Sequence, residues 1–599
     1  MAILTLTTVF FFFLTLVPYH LYHSVQLIYF LHPLHQIDPG FLSRDWFVTQ
    51  TTYPHPFFGM VIAFLAAHEV LPQGLFFIHL IHTFLLVWGI QRFVRLFSSD
   101  PRVPVLVAFF LLFYFSMGLG QSDLFSSIVR PIDLALLFYL FSLTALLEEK
   151  IVQSFFFLGL SALFHIQPGI QGLLVLLCYQ WLCGRRPDEK WAMGIAIFLL
   201  LFSPNLIPLS QSFSLGEFRA SSDIFKVFFN FRSPHHYRAS VFELSHSLRV
   251  LFPLFFLLQK EPLVSDKRRT QILKYVFLLL GFSLLALLST EWLYWPSMGR
   301  LFFFGLTPFI LLVGGVFLSL RLIQAADTGQ PAGTLKAFLT FAVFLLEKDA
   351  RLFIPLAIIL AGIWLVCRPP LLLGGSLSVL SLFLLAGRGL DLALNLILAA
   401  ILVFLLKQNW SRNRPPALAF LFLGLPALGL HLVFPQRLAF QLPRIAPIAP
   451  LIQDNPELAQ TLDWIQKHTE KNTLLLSPPY QDGIRFFAKR SIVVDFHAHG
   501  FSAGDLREWK ERLEAVTRTS GLEHWNPRSD SGRPQREWLR RGYLNLKAAD
   551  VLTLARRYQF DYFLTEVNYR ERAALVQLGN PVVFENASYL LFRIRAPSP

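Results

Sequence analysis

Residues 2–21 read AILTLTTVFFFFLTLVPYHL, an apolar run long enough to cross a bilayer. No basic segment precedes the run and no small-residue cleavage site follows it, so we expect an anchoring helix and not a removed signal peptide. Of the 599 residues, 54% are hydrophobic and 15% are charged. Soluble domains carry about 25% charged residues. The sequence therefore predicts an integral, multi-pass membrane protein.

Further apolar runs extend to residue 434 and predict an all-α bundle of about 13–15 transmembrane helices. After 2–21, the predicted spans are 74–96, 104–120, 131–147, 152–166, 169–183, 191–208, 242–258, 273–290, 301–320, 335–346, 352–367, 371–386, 390–406 and 416–434. The pair around HIQPG (165–169) is predicted to consist of two short helices that meet at a Pro-Gly turn.

The side of each loop follows from the positions of Lys and Arg, which favour the cytoplasmic side. Basic residues mark four loops as cytoplasmic, at 92–102, 185–190, 260–269 and 407–414, and this assignment requires that residues 57–71 do not cross the bilayer. That stretch is short and is closed by Pro72, so we expect an interfacial helix. The first loop (22–73), the second long loop (210–241) and the chain beyond about residue 435 are then predicted to be non-cytoplasmic.

The composition of the chain changes after Pro450, where charged residues become frequent. Residues 435–450 form a Pro-rich linker, and 451–599 are predicted to form a small soluble α/β domain on the non-cytoplasmic side. Its predicted helices are 456–468 and 548–558. Strand-like segments alternate with these helices, and strands are predicted at 473–477, 490–496, 560–566, 581–585 and 588–594. The transmembrane domain is taken as 1–434.

Several classes of function are disfavoured by the composition. The formal charge of +14 comes from tracts between apolar runs, which are typical of membrane loops and not of a nucleic-acid surface. Cys178, Cys183 and Cys367 lie inside apolar runs, so neither disulfides nor a zinc site is expected. The H-x-x-H pairs His20/His23, His32/His35 and His79/His82 are scattered in depth, and Pro33 places the second pair in a loop. We therefore expect neither a metal transporter nor a metalloenzyme.

Three clusters of polar residues lie on the predicted outer side. The first is IDPGFLSRDWF (37–47), which carries Asp38, Arg44 and Asp45 and is followed by His55. The second is SDLFSSIVRPID, with Asp123, Arg130 and Asp133. The third is FRSPHHYR, and Arg300 begins a later span. The residues of the third cluster are Arg232, His235, His236, Tyr237 and Arg238.

Acids and arginines above an apolar bundle suit one kind of chemistry. A carboxylate can deprotonate or orient an acceptor hydroxyl or amine. Arginines can hold a phosphate through paired donors while a negative charge develops on it. A substrate with a long lipid tail would enter sideways between helices and leave its phosphate at the interface. Transfer of a sugar from a polyprenyl-phosphate donor has this geometry.

The layout resembles the GT-C superfamily of integral membrane glycosyltransferases. The common features are a first span, an outer loop with an acid, an interfacial helix, many further spans and an outer C-terminal domain. The DPGFLSRDWF stretch, the R-x-P-H-H loop and an outer W-I-x-x-x-T…PP…R-x-x-V-V-D segment are similar to uncharacterised bacterial GT-C-like proteins of unknown function. The chain lacks the adjacent acidic pair of protein mannosyltransferases and the WWDYG-like signature of oligosaccharyltransferases.

The resemblance implies a polyprenyl-phosphate-sugar-dependent enzyme in the bacterial inner membrane, with the first-loop acid as catalytic base. Asp45 is preferred to Asp38, because an Asp before Pro-Gly commonly caps a turn. The implied phosphate-binding residues are Arg44, Arg130, Arg300, Arg232 and Arg238, and the implied donor or acceptor contacts are His55, Asp123, His235, His236 and Tyr237. The membrane lipid is a partner and nucleic acid is not. The acceptor is left open between a glycan, a lipid and a protein.

Other interpretations remain open at this stage. Asp45 could be a helix cap or the partner of Arg44, and Arg130 and Arg300 could be interfacial arginines that reach towards water. A transporter or flippase for a lipid-linked or anionic substrate is one alternative function. A scaffold that keeps the fold without the chemistry is another. The sequence indicates no cofactor and no metal, and the resemblance leaves metal dependence open.

Overall fold

The computed structural model describes residues 2–17, 19–113, 117–212, 222–242, 244–259, 262–328, 330–346, 399–404, 450–526 and 535–595. Three of the predicted spans (352–367, 371–386 and 416–434), most of the span at 390–406 and the linker up to residue 449 lie outside these residues, as does Cys367.

The described part of the chain before residue 347 is helical. Its α-helices are Ala2–Leu16, Ser24–Ile37, Trp46–Gln50, Pro56–Ala67, Leu71–Val94, Arg102–Phe113, Pro131–Leu147, Ile151–Phe164, Ile166–Leu182, Glu189–Phe202, Leu206–Ser212, Ser222–Lys226, Pro234–Tyr237, Leu244–Leu258, Asp266–Glu291, Pro296–Arg300, Pro308–Asp327 and Pro331–Leu346. Several begin with proline, whose missing N–H costs nothing at a first helical position.

Length and composition mark candidate membrane spans among the described residues. Four helical segments are long and apolar enough to cross a bilayer: Leu71–Val94, Glu189–Ser210, Asp266–Glu291 and Met298–Asp327. Shorter apolar helices include Pro56–Ala67, Arg102–Phe113, Pro131–Leu147 and Ile151–Phe164. The helix predicted at 131–147 is found at those residues. The protein is thus mostly helical, and apolar helices make up its larger part.

The first loop contains a helix that the sequence interpretation missed. Ser24–Ile37 is α-helical with Pro33 inside it, so His32 lies on a helix and the prediction of a loop there was wrong. An internal proline costs a helix about 3 kcal/mol. Burial of Leu27, Phe30 and Leu31 offsets that cost, because each is at most 3% exposed.

The two helices around HIQPG meet at His165, three residues before the predicted Pro-Gly turn (168–169). Ile151–Phe164 ends and Ile166–Leu182 begins on either side of His165, whose side chain accepts a hydrogen bond from the Gln167 amide. The Pro-Gly pair lies in the first turn of the second helix, where proline is tolerated. Gly169 is needed for a close approach, since a Cβ there would lie 2.3 Å from the Cβ of Ala162.

The C-terminal region is a mixed α/β unit. Its helices are Pro450–Gln453, Pro456–His468, Ile484–Ala488, Ala503–Thr517, Gln535–Leu544, Ala548–Tyr558 and Arg572–Gln577. Its strands are β1 (Leu474–Leu476), β2 (Ser491–Ile492), β3 (Tyr562–Glu566), β4 (Val582–Glu585) and β5 (Tyr589–Arg593). The sheet order is β2-β1-β3-β5-β4, with β1 parallel to β2 and β3, and β5 antiparallel to β3 and β4.

One apolar cluster joins this unit to the loops of the helical part. Phe47 from the first loop and Phe229 and Phe231 from the second loop belong to the same buried cluster as Trp509 and Tyr543 of the C-terminal unit. Burial of apolar surface of this kind contributes about 25 cal/mol per Å². The C-terminal unit therefore covers both loops, and the polar residues of those loops lie beneath it.

We expect Gly169→Ala to destabilise the protein by about 1–3 kcal/mol, because the new methyl group overlaps Ala162 and the packed helices must separate. Thermal unfolding of the purified protein in detergent measures the effect. Gly281→Ala is the matched control, since nothing lies within 4 Å of a Cβ at that helical position. An unfolding temperature equal to wild type for Gly169→Ala would contradict this packing.

Candidate functional site

The 37–47 stretch is bound along its length to the C-terminal unit. Asp38 accepts a hydrogen bond from the Gly40 amide at 3.0 Å, which confirms its predicted role as a turn cap, and it also pairs with Lys471 at 2.8 Å. Arg44 pairs with Asp561 at 2.7 Å and donates to the Gln559 carbonyl oxygen. Both side chains therefore hold the first loop against the C-terminal unit.

Asp45 is buried between the two parts of the protein. It caps the short helix Trp46–Gln50 by accepting from the Phe47 amide at 3.0 Å. Its Oδ2 accepts from Arg485 Nε at 2.7 Å and from the Ile492 amide at 2.9 Å. The side chain is 0% exposed, so neither carboxylate oxygen is accessible to a substrate in this structure. Of the alternatives left open for Asp45, the helix cap is confirmed. Its ion-pair partner is Arg485 and not Arg44.

Asp123, Arg130 and Asp133 form an ion-paired group at the start of helix Pro131–Leu147. Arg130 Nη2 lies 2.9 Å from Asp123 Oδ1 and 2.7 Å from Asp133 Oδ1. Asp133 is 4% exposed and caps the helix by accepting from the Arg130 amide, whereas Asp123 is 31% exposed. Burial is the main cause that raises the pKa of Asp123, and Arg130 opposes it. The group has two carboxylates for one guanidinium, which does not favour phosphate binding at Arg130.

A cavity opens beside this group. Its volume is about 400 Å³, and its polar lining comes from His23, Asp123 and Arg130. Apolar side chains form much of the remaining wall, among them Val17, Leu111, Leu112, Met117 and Phe125. A cavity with one charged end and one apolar end suits an amphipathic ligand.

The second loop brings a histidine pair next to the loop that carries Asp123. His236 Nδ1 lies 2.6 Å from the Gly120 carbonyl oxygen, and the rings of His235 and His236 are 4.1 Å apart. Burial lowers the pKa of His236 to about 4 and that of His235 to about 3. Both imidazoles are therefore neutral at pH 7, and neither adds positive charge to the site.

Arg232 differs from the other predicted arginines. It donates to Ser233 Oγ and to the His497 carbonyl oxygen, both at 3.2 Å, and it lies over the Phe496 ring. Its Nε is buried without a hydrogen-bond partner. Among the described residues no carboxylate lies within ion-pair distance of it, and burial lowers its pKa to about 10. A half-buried guanidinium whose covered Nε has no hydrogen-bond partner favours an anionic ligand.

The remaining predicted residues have defined places. Arg238 pairs with Glu291 at 2.9 Å and donates to Tyr294 at 2.7 Å. Arg300 donates to the Phe501 carbonyl oxygen at 2.8 Å and lies over the Phe225 ring. Tyr237 is buried against Phe302. The ring of His55 lies 4.6 Å from that of His165, and burial holds its pKa well below the usual value.

A group from the C-terminal unit was missed by the sequence interpretation. His497 Nδ1 lies 3.0 Å from Asp482 Oδ1, and Arg536 Nη2 lies 2.6 Å from Asp482 Oδ2. The available signal was the DFHAHG run (495–500), in which two histidines follow a predicted strand. No sequence feature links His497 to Arg232, because the two residues are far apart in the chain.

Electrostatic interactions connect these groups. His23 is influenced by Arg130, Asp482 and His497, and His236 by both Arg232 and Arg130. The structure thus gathers Asp123, Arg130, Arg232, His235 and His236 around one region beneath the C-terminal unit, and it places Asp38, Asp45, Arg44 and Arg238 in ion pairs. Within the described ranges no group of three or more His, Cys, Asp or Glu residues could hold a metal ion.

Comparison with protein families gives a match to one part of the C-terminal unit. A family model described as "Domain of unknown function (DUF6798)" matches residues 456–516, which include Asp482, Arg485, Asp495 and His497. Comparison with curated proteins gives no match.

Two solved structures are similar to the chain over nearly its whole length. Both are crystal structures of ArnT from Cupriavidus metallidurans. The one bound to undecaprenyl phosphate has 12% identity and a TM-score of 0.47, and the match covers 99% of this chain and 97% of that chain. The apo state has 12% identity and a TM-score of 0.46, with 99% and 98% covered. With so low an identity and TM-score, the similarity bears on neither the site nor the reaction.

We expect Asp45→Ala to destabilise the folded protein by about 3–5 kcal/mol, because Arg485 keeps a buried charge and loses one of its two carboxylate partners. Limited proteolysis and thermal unfolding in detergent measure the loss, and new cleavage should appear first between the helical part and the C-terminal unit. Asp463→Ala is the control, since that exposed carboxylate pairs only across one helical turn with Lys467. Unchanged protease resistance in Asp45→Ala would refute the role given to this pair.

Proposed function

We propose that the protein is a membrane glycosyltransferase that moves a sugar from a polyprenyl-phosphate donor to an acceptor at the outer face of the membrane. The bilayer holds the donor's tail, so the sugar phosphate reaches the protein at the boundary between the apolar helices and the C-terminal unit. The acids, arginines and histidines described above lie at that boundary. The proposal therefore needs one anion site and one apolar entry next to each other.

Arg232 is the observation that carries the proposal. Its guanidinium is half-buried, keeps an unsatisfied Nε and has no carboxylate within ion-pair distance among the described residues. A phosphate oxygen accepts paired hydrogen bonds from a guanidinium, and a charge-assisted bond of this type contributes about 1.5–3 kcal/mol. The phosphate gains further charge when the sugar leaves, so Arg232 would stabilise the transition state more than the bound donor.

The cavity beside Asp123 is the proposed entry for the lipid-linked end. Val17 directly follows helix Ala2–Leu16 and Leu111 lies in helix Arg102–Phe113, while His23 and Arg130 form the polar part of the lining. In this proposal the prenyl chain would lie against the apolar wall and the sugar beside the polar residues. Asp123 and His236 are the proposed contacts to sugar or acceptor, because Asp123 keeps an exposed fraction and His236 is neutral. Arg130 would hold Asp123 in place and not bind the phosphate.

The resemblance implies a base in the first loop, Asp45 or Asp38, and in this proposal both residues have a structural role instead. Asp45 and Asp38 are bonded to Arg485 and Lys471, and we propose that they attach the first loop to the C-terminal unit. Arg44 and Arg238, which pair with Asp561 and Glu291, would have similar structural roles.

Transport of a lipid-linked substrate is the alternative function. A transporter would use the same anion site, but it would leave the bond between the donor's phosphate and its sugar intact.

We expect Arg232→Gln to weaken binding of undecaprenyl phosphate by roughly 10- to 100-fold, the equivalent of one lost charge-assisted interaction. Equilibrium binding to the protein in nanodiscs measures this, and release of undecaprenyl phosphate from undecaprenyl-phosphate sugars measures transfer. Arg541→Gln, at a side chain that is 55% exposed, is the matched control. Arg232→Lys should recover only part of the binding, because a point charge lacks the paired donors.

Two results would contradict the proposal. Equal binding by Arg232→Gln and wild type would remove Arg232 from the anion site. Binding without any release of undecaprenyl phosphate, tested with a panel of undecaprenyl-phosphate hexoses and pentoses and mixed acceptors, would leave a transporter or a scaffold in place of a transferase.

A further inference from the structure

We propose that the C-terminal unit supplies the catalytic base, and that this base is His497, positioned by Asp482. The inference rests on the proposed function, because it concerns the proton that the acceptor must lose. It moves the base from the first loop to a residue about 450 positions later in the chain.

The position of His497 relative to Arg232 is the first argument. Arg232 Nη2 donates to the carbonyl oxygen of His497 at 3.2 Å, so the proposed phosphate ligand and this histidine are direct neighbours. A base must stand close to the anomeric carbon, which is one bond away from the phosphate oxygen. Asp45, by contrast, is closed off by Arg485 and by the Ile492 amide.

The orientation of the ring is the second argument. Asp482 Oδ1 lies 3.0 Å from His497 Nδ1, and Asp482 itself is only 7% exposed. A carboxylate that accepts the Nδ1 proton fixes the tautomer and leaves Nε2 as the proton acceptor, which is the arrangement of an Asp–His pair in general-base catalysis. Asp482 is thus a positioning residue, and His497 is the group that would touch the acceptor.

Arg536 is the third member of the group. Before an acceptor binds, it occupies the nitrogen of His497 that would accept the proton. Its Nη2 lies 2.6 Å from Asp482 Oδ2, 3.0 Å from His497 Nε2 and 3.2 Å from His497 Nδ1. With 42% of its side chain exposed, Arg536 can leave Nε2 when an acceptor enters, while Asp482 and His497 stay in place. The acceptor's hydroxyl or amine then takes the position next to Nε2.

The chemical step balances without any other reagent. The acceptor oxygen or nitrogen attacks the anomeric carbon and forms the new bond. The bond from that carbon to the phosphate oxygen breaks, and its electron pair stays on the phosphate, which Arg232 holds. The acceptor's proton passes to His497 Nε2 and is later lost to water. The products are the glycosylated acceptor and polyprenyl phosphate.

The charged groups facing His497 determine the pH dependence. Burial is the largest cause that lowers the pKa of His497, the hydrogen bond to Asp482 raises it, and the positive charges of Arg232 and Arg536 lower it. Three further imidazoles interact with it, those of His23, His235 and His499. A base works in its neutral form, so the rate rises with pH through the pKa of His497.

The test uses the full-length protein in nanodiscs with the panel of undecaprenyl-phosphate sugars. We expect His497→Gln to lower kcat by about 100-fold or more and to leave undecaprenyl phosphate binding within about twofold of wild type. His524→Gln, whose side chain is 85% exposed, is the matched control and should keep full turnover. Binding that survives also shows that the variant is folded.

The pH profile separates a base from a structural residue. Arg536→Gln removes a positive charge, so the pKa of His497 rises and the ascending limb of kcat/KM moves to higher pH. Asp482→Asn removes the hydrogen bond and the negative charge, so the limb moves to lower pH and kcat falls. If the ascending limb of kcat/KM stays at the wild-type pH in both variants, His497 is not the catalytic base.

Failure of this inference differs from failure of the proposed function. Wild-type turnover that survives His497→Gln and is lost in Asp123→Asn would make Asp123 the base and leave the glycosyltransferase proposal standing. A wild type that neither binds undecaprenyl phosphate nor releases it from any sugar would overturn both.

Discussion

Arg485 connects the two parts of the protein. Its side chain is 3% exposed and lies between Asp45 of the first loop and Asp495 of the C-terminal unit. A buried guanidinium is costly unless carboxylates surround it, and here each part of the chain provides one. The ring of Phe47 packs under the same guanidinium. The position of the C-terminal unit over the membrane helices therefore depends on a pairing that only the folded, docked protein satisfies.

Docking brings together side chains that would have no common site otherwise. The second loop supplies Arg232, the C-terminal unit supplies His497 and Asp482, and the helix starting at Pro131 supplies Arg130. The contact between Arg232 and His497 forms only when the second loop and the C-terminal unit are docked. The apolar cluster that includes Phe231 and Trp509 fixes their spacing, because interiors packed at this density tolerate little displacement.

The sequence was sufficient to predict those elements that interactions between neighbouring residues determine. The helices at 131–147, 456–468 and 548–558 were predicted at the residues where they occur, since hydropathy, helical period and proline placement decide them. The turn at Asp38 was predicted for the same reason. The helix Ser24–Ile37 was missed, because burial by distant parts of the chain outweighs its internal Pro33. The pairing of Asp45 with Arg485 was missed, because the two residues are 440 positions apart and no local pattern indicates the contact. Asp45 was therefore predicted to be catalytic.

The separation of Asp45 from Arg485 also has a consequence for biosynthesis. A ribosome adds about 5–20 residues per second, so the partner of Asp45 emerges about 20–90 seconds after it. Arg232 is synthesised within that interval, so the first and second loops exist for a time without the C-terminal unit that covers them. A truncated chain that ends before residue 485 keeps Asp45 but lacks the arginine that pairs with it, so its first loop cannot be held closed in this way.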